Sequence, residues 1–297
     1  MIRNATLDIA RLVAAFGIVF FHVGAPGSGV GYAALPFFII LLVAMAIPTA
    51  KKLDLASYTQ GRAVRLLLPW LLWSGLYAGL KLAELAVTGA PLGSEFAPSM
   101  LLTGPALHLW FLPFAFVACL LAYPAARLAH HTSVAILLAI VGLLALGLSQ
   151  TRGLPVPLAQ WVYAGPAVFL GLALAMGGGR LWQMGLILFG FCGIALAAGW
   201  TSGLGQLALA GAAYILCLAL PQSETPLSRR AGAAAMGVYL AHPLVLSVLV
   251  RTTSIPENSL GMALLVCLGA LTVSVAIEAV VASLRHPKRK LYTVLQS

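Results

Sequence analysis

The segment LDIARLVAAFGIVFFHVGA, residues 7–25, is apolar and long enough to cross a lipid bilayer, yet it contains Arg11 and His22. A charged side chain at the centre of a membrane helix costs roughly 2.5–3.5 kcal/mol on insertion scales, so such residues are usually functional. Eleven helical steps make three turns plus about 20°, which places both side chains on one face, about 16 Å apart along the axis. The segment therefore predicts a membrane helix that carries a functional arginine and histidine on one face.

The rest of the chain has the same apolar character. Of its 297 residues, 61% are hydrophobic and only 8% are charged, whereas soluble domains have about 25% charged residues. Apolar runs of helical length recur throughout, which predicts an all-α integral membrane protein, a single polytopic domain over residues 1–297. We predict ten spans, at about residues 6–24, 31–48, 64–86, 107–128, 133–149, 158–177, 181–200, 204–220, 232–250 and 259–284.

The distribution of basic residues predicts the orientation of these spans. With the N-terminus in the cytoplasm, thirteen of the 17 lysines and arginines lie in inside loops or ends, and only Lys81, Arg152 and Arg251 lie outside. Both termini are therefore predicted to be cytoplasmic. The longest inside loop is residues 49–65, and the longest outside loop is residues 87–106, where glycine and proline argue against a helix.

The net charge of +10 does not indicate nucleic acid as a partner. The positive-inside rule and anionic lipid head groups account for it, so the lipid bilayer is the predicted partner. The cysteines lie in apolar segments without CxxC spacing, and no metal-binding motif is present, so no metal site is predicted.

His22, near the outer end of the first span, is a candidate general base. A neutral imidazole near pH 7 can take a proton from a hydroxyl group. The alternative is a histidine that only contributes to helix packing. Arg11 is a candidate for gripping an anionic or carbonyl oxygen, and its alternative is a snorkelling side chain that pairs with Asp8, three residues earlier.

Arg62 and Arg65 form an RxxR pair where the inside loop enters the third span. The i, i+3 spacing puts both guanidinium groups on one face at the membrane surface, an arrangement that suits phosphate groups. The alternative is that both arginines only set the topology.

Four further polar or aromatic residues are candidates for contacts with a substrate: His108, Trp110, His242 and Glu278. His108 and Trp110 open the fourth span, where an interfacial aromatic belt is the alternative. His242 precedes Pro243, so its alternative role is to repair the helix kink at the carbonyl group that the proline leaves without a donor. Glu278 lies in the tenth span, and the sequence does not identify its partner.

Four segments together resemble the membrane acyltransferase-3 family, whose bacterial members O-acylate cell-envelope carbohydrates and related acceptors. These are LDIARLVAAFGIVFFH with its Arg and His, GRAVRLLLPWLLW with its RxxR entry, HLWFLPFAF and GVYLAHPLVL. They occur in the family's order and cover most of the chain. The resemblance implies that His22 is catalytic, that Arg11 belongs to the same channel, and that Arg62 and Arg65 bind the phosphates of acyl-coenzyme A.

The expected function is the transfer of an acyl group, acetyl in the first instance, from cytoplasmic acyl-CoA to a hydroxyl group of an envelope carbohydrate. The expected location is the bacterial inner membrane. A transporter or flippase for a lipid-linked glycan and a non-catalytic partner in polysaccharide assembly are the alternatives. The sequence specifies neither the acceptor nor the oligomeric state.

Overall fold

The computed structural model describes residues 4–128, 132–151, 153–176 and 180–285, and every regular element within these ranges is helical. This confirms the all-α prediction for the described residues. The twelve α-helices there are α1 (Ala5–Val23), α2 (Ser28–Gly31), α3 (Ala34–Ala50), α4 (Leu55–Thr88), α5 (Met100–Thr103), α6 (Phe111–Arg127), α7 (Thr132–Ser149), α8 (Leu158–Met176), α9 (Leu181–Ala197), α10 (Leu204–Ala219), α11 (Pro226–Thr252) and α12 (Leu260–Arg285).

Seven helical segments among the described residues are long and apolar enough to cross a membrane. They are Ala5–Val23, Ser28–Ala50, Leu55–Thr88, Leu107–Arg127, Leu158–Met176, Pro226–Thr252 and Leu260–Ser283. Three more apolar helices are shorter: Ser133–Ser149, Leu181–Ala197 and Leu204–Ala219. The protein is thus a multi-pass helical membrane protein. The count of ten spans and the cytoplasmic termini stay predictions, and Arg152, which entered the charge count, lies outside the described residues.

Helix α4 begins nine residues before the predicted third span, so the predicted inside loop 49–65 is wrong in its second half. The cause is the N-cap Asp54, whose carboxylate accepts a hydrogen bond of 2.9 Å from the backbone N–H of Ser57. That bond holds the pKa of the Asp54 carboxyl below its ordinary value. The first turns of α4 are therefore a polar extension of the membrane helix.

The predicted outside loop 87–106 is also more ordered than its glycines and prolines suggested. It contains a 3-10 turn at Leu92–Ser94 and the short helix α5. The side chain of Lys81 on α4 holds this segment through Glu95, with 2.8 Å from Nζ to the carboxylate and 3.2 Å from Nζ to the backbone carbonyl. The absence of a helix was therefore a wrong expectation for this part of the chain.

The described part of the chain forms two compact units, and the first of them combines its N-terminal and C-terminal segments, residues 4–34 and 220–285. In this unit α1 packs against α2, α11 and α12, and α11 packs against α12. Gly237 of α11 lies directly against Ser274 of α12, whose hydroxyl donates to the Ala234 carbonyl at 3.1 Å. Small residues that allow such close approach are a main source of helix association in lipid.

The bounds of α1 are fixed by caps and by the segment before α11. The Asn4 side chain accepts from the Thr6 N–H, and Gly24 ends the helix with a φ of 70°, which only glycine adopts without strain. The Thr6 hydroxyl donates to the Leu220 carbonyl at 2.6 Å, and the Ala5 N–H donates to the Gln222 carbonyl at 3.1 Å. His22 is thereby held in the last turn of α1.

The second unit contains residues 35–219. Its helices pack in neighbouring pairs, α4 with α6, α7 with α8 and α9 with α10. Gly171 of α8 lies so close to α3 that a Cβ atom there would be 2.7 Å from the Ile40 Cα. The unit positions the RxxR pair on α4 beside α6.

Candidate active site

His22 and His242 lie next to each other in the first unit, although 219 residues separate them in the sequence. Their ring centroids are 5.0 Å apart and the ring planes differ by 39°. His22 is exposed in the last turn of α1, whereas His242 in the middle of α11 is 0% exposed. One imidazole is therefore accessible, and the other lies buried against it.

The protonation pattern of His242 follows from the proline that comes after it. Pro243 has no N–H, so it cannot donate to the carbonyl of Tyr239 four residues earlier. The His242 Nδ1 atom lies 2.6 Å from that carbonyl oxygen. Because a carbonyl oxygen only accepts, Nδ1 carries the hydrogen, and the lone pair of the neutral ring is on Nε2. The kink repair that the sequence suggested for His242 is present.

A cavity of about 200 Å³ is lined by both imidazoles together with Pro243, Leu246 and Ser247. Since a water molecule occupies about 30 Å³ in the liquid, the cavity has room for several waters or for a small acyl group and a hydroxyl group. Ser247 was missed by sequence reasoning. It follows Pro243 by one helical turn, a spacing that identifies the lining face only once the cavity is known.

Arg11 is paired with Asp8 on α1. Its Nη1 atom lies 3.1 Å from Oδ1 of Asp8, which is 3% exposed. Gly232 of α11 allows this pairing, because a Cβ atom there would lie 2.5 Å from the same carboxylate oxygen. The pair predicted as the alternative for Arg11 is therefore present, and the role of Arg11 in a reaction stays a prediction.

Arg62 and Arg65 have different environments within the second unit. Arg62 is 8% exposed with its guanidinium carbon 5.2 Å from the centre of the Tyr58 ring, whereas Arg65 is exposed. None of the ion pairs among the described residues involves Arg62. A buried cation without a carboxylate is a favourable place for an anion.

A second tyrosine–arginine pair, Tyr123 and Arg127, lies beside Tyr58, and sequence reasoning missed it. Arg127 donates to the Tyr123 hydroxyl at 2.7 Å and to the Leu53 carbonyl at 2.9 Å, and its guanidinium lies 4.6 Å from the Tyr123 ring centre. The Tyr58 and Tyr123 rings are 5.4 Å apart, and the Tyr58 hydroxyl donates to the Cys119 carbonyl at 2.6 Å. The signal in the sequence was the shared Tyr-x-x-x-Arg spacing, which places each arginine one helical turn after its tyrosine.

The other three residues predicted to contact a substrate, His108, Trp110 and Glu278, do not line the histidine cavity. His108 and Trp110 belong to a buried 3-10 turn of the second unit, Leu107–Trp110, where the His108 ring meets the Tyr77 ring edge-on at 5.4 Å. Trp110 packs against Phe114 at 5.7 Å. Glu278 is exposed on α12 and does not line the histidine cavity.

The fold and the paired histidines define a class, a multi-pass helical membrane protein with an imidazole-lined cavity in the unit formed by both chain ends. A family model described as an acyltransferase domain matches residues 4–279. The chain belongs to the acyltransferase-3 family, as its motifs predicted, and this membership indicates acyl transfer at a membrane. No curated protein and no solved structure is significantly similar to the chain.

Proposed function

We propose that the protein is an acyl-CoA-dependent O-acyltransferase of the bacterial inner membrane, with ten spans and both termini in the cytoplasm. It transfers an acyl group, which we propose is acetyl, to a hydroxyl group of a cell-envelope carbohydrate or related acceptor. The observation that carries this proposal is the exposed His22 imidazole at a cavity that has room for an acyl group and a hydroxyl group.

The reaction needs one group that can take up and return a proton. His22 takes the proton from the acceptor hydroxyl, and the oxygen attacks the thioester carbonyl carbon. A carbon–oxygen bond forms, the carbon–sulfur bond breaks, and the thiolate of coenzyme A leaves. The imidazolium of His22 returns the proton to that thiolate, so the enzyme is restored without a redox step.

The donor binds through its phosphates at Arg62 and Arg65 on the cytoplasmic side. The burial of Arg62 without a carboxylate partner among the described residues supports this, because a phosphate would supply the missing negative charge. Arg11, on the same face of α1 as His22, belongs to the channel along which the donor arm reaches the reacting carbonyl. His108 and Trp110 are proposed acceptor contacts.

The test compares His22→Ala and His22→Gln in purified protein with acetyl-CoA and isolated cell-envelope membranes as the acceptor source. Coenzyme A release and acetyl incorporation are both measured. We expect both variants to lose about 10²–10⁴-fold in kcat, the usual contribution of a positioned base, while the KM for acetyl-CoA stays the same. Glutamine keeps hydrogen-bonding capacity but does not take up a proton near neutral pH.

Two results would contradict the proposal in different ways. Wild-type protein that releases no coenzyme A in this assay would favour the transporter alternative. A His22→Gln variant with near-normal turnover would remove His22 as the base, even if the wild type is an acyltransferase.

A further inference from the structure

His242 is placed to act on His22. It is fully buried, it is tied to its own helix by the Tyr239 carbonyl, and its ring lies 5.0 Å from that of the exposed His22. We infer that His242 is a positioning residue that sets the tautomer of His22 and stabilises His22 when it is protonated. The inference rests on the proposed role of His22 as the base.

The sequence of hydrogen bonds has a fixed direction. The Tyr239 carbonyl accepts from Nδ1 of His242, so Nε2 of His242 offers a lone pair. A hydrogen bond of about 2.9 Å between two imidazole nitrogens requires ring centroids roughly 5 Å apart, so the observed separation of 5.0 Å is short enough for His22 to donate to His242 during the reaction. When the N–H of neutral His22 donates a hydrogen bond to Nε2 of His242, the other ring nitrogen of His22 carries the lone pair that a base requires.

The same contact gains strength during the reaction. Once His22 has taken the hydroxyl proton, its hydrogen bond to His242 is donated by a cation, and charged hydrogen bonds are roughly twice as strong as neutral ones. An interaction that is stronger in the transition state than in the ground state raises kcat without a change in KM. We therefore expect His242 to act on turnover through His22.

Two amide substitutions separate this role from simple repair of the helix kink. In His242→Gln, the terminal amide is near the position of Nε2, so an acceptor for His22 is retained. In His242→Asn, the amide is near the position of Nδ1, so only the bond to the Tyr239 carbonyl is retained. We expect His242→Asn to lose about 10–100-fold in kcat, the worth of one hydrogen bond to a charged group, and His242→Gln to lose several-fold less.

The outcomes are distinct from those that test the base itself. If His242→Asn is active and His242→Gln is not, the ring only repairs the helix, and the inference is wrong. If His242→Gln is as inactive as His22→Gln, His242 carries the proton itself, which also contradicts a positioning role. Near-normal activity of His22→Gln would instead count against the proposed function.

Pro243→Ala tests the tautomer lock without a change in either imidazole. The new N–H of residue 243 can donate to the Tyr239 carbonyl and so compete with Nδ1 of His242. We expect a several-fold lower kcat with an unchanged KM for acetyl-CoA, in a protein that folds at least as well as the wild type, since alanine suits a helix better than proline. Unchanged turnover in this variant would contradict the claim that the Tyr239 carbonyl fixes the tautomer of His242.

Discussion

Arg62 and Arg65 lie three residues apart on the same helix, yet one is buried and the other is exposed. Three helical steps turn the chain by about 300°, so the second arginine is rotated by about 60° from the first. On a helix that is buried on one side only, this rotation separates the buried Arg62, stacked on Tyr58, from the exposed Arg65. The sequence predicted the pair, but the burial of one member depends on the packing of α6.

The difference leads to a prediction about donor binding. Arg62→Lys should raise the KM for acetyl-CoA almost as much as Arg62→Ala, because lysine retains the charge but lacks the planar fork that binds a phosphate through two bonds. Arg65→Lys should have a smaller effect, since an exposed charge is screened by solvent. The KM for the donor is measured for each variant.

Arg230→Ala is the matched control for these variants. It removes an exposed arginine that is predicted to lie on the same side of the membrane, at the start of α11. An equal increase of KM in Arg230→Ala would mean that the general positive charge, and not the RxxR pair, attracts the donor.

Close helix crossings determine the arrangement of elements around the site. Gly17 of α1 and Gly31 of α2 lie against each other, and a Cβ atom on Gly31 would be 2.5 Å from the Gly17 carbonyl oxygen. The helices are joined by a short connection, so α2 cannot move away without moving the end of α1. Gly31 thus supports the position of the turn that carries His22.

We predict that Gly31→Ala destabilises the protein by about 1–3 kcal/mol, the usual cost of overpacking. Gly29→Ala in the same short helix is the control, because a Cβ atom there would have no neighbour within 4 Å. Thermal unfolding of both variants in the same detergent measures the difference. Equal Tm values would show that the crossing relaxes at no cost.

The sequence predicted elements better than it predicted their contacts. Hydropathy identified the long helices, because lipid requires every backbone polar group to be bonded within its own helix. The start of α4 was wrong because one capping side chain, Asp54, outweighed hydropathy. Pro243 alone predicted that the Tyr239 carbonyl lacks its backbone donor, since this effect of a proline on the carbonyl four residues earlier is local. The approach of His242 to His22 was not, because it depends on how α1 packs against α11.

At the scale of the whole molecule, the orientation in the membrane is the main prediction that follows from charge. In a background without the native cysteines, single cysteines at Ser94 and Ser254 should react with an impermeant reagent in intact cells. A cysteine at Ser57 should react only after permeabilisation. All three positions are exposed, so burial does not explain a lack of reaction. Labelling at Ser57 in intact cells would contradict cytoplasmic termini.

The first unit contains both α1, with His22, and α11, with His242, so the two histidines of the site are synthesised at different times. About 200 residues separate α1 from α11, which is roughly 10–40 s of translation at about 5–20 residues per second. Arg11 is neutralised at once, because Asp8 belongs to the same helix. His22 must wait until α11 leaves the ribosome and brings His242. A nascent chain that stops after α10 therefore contains the proposed base but not the residue that orients it.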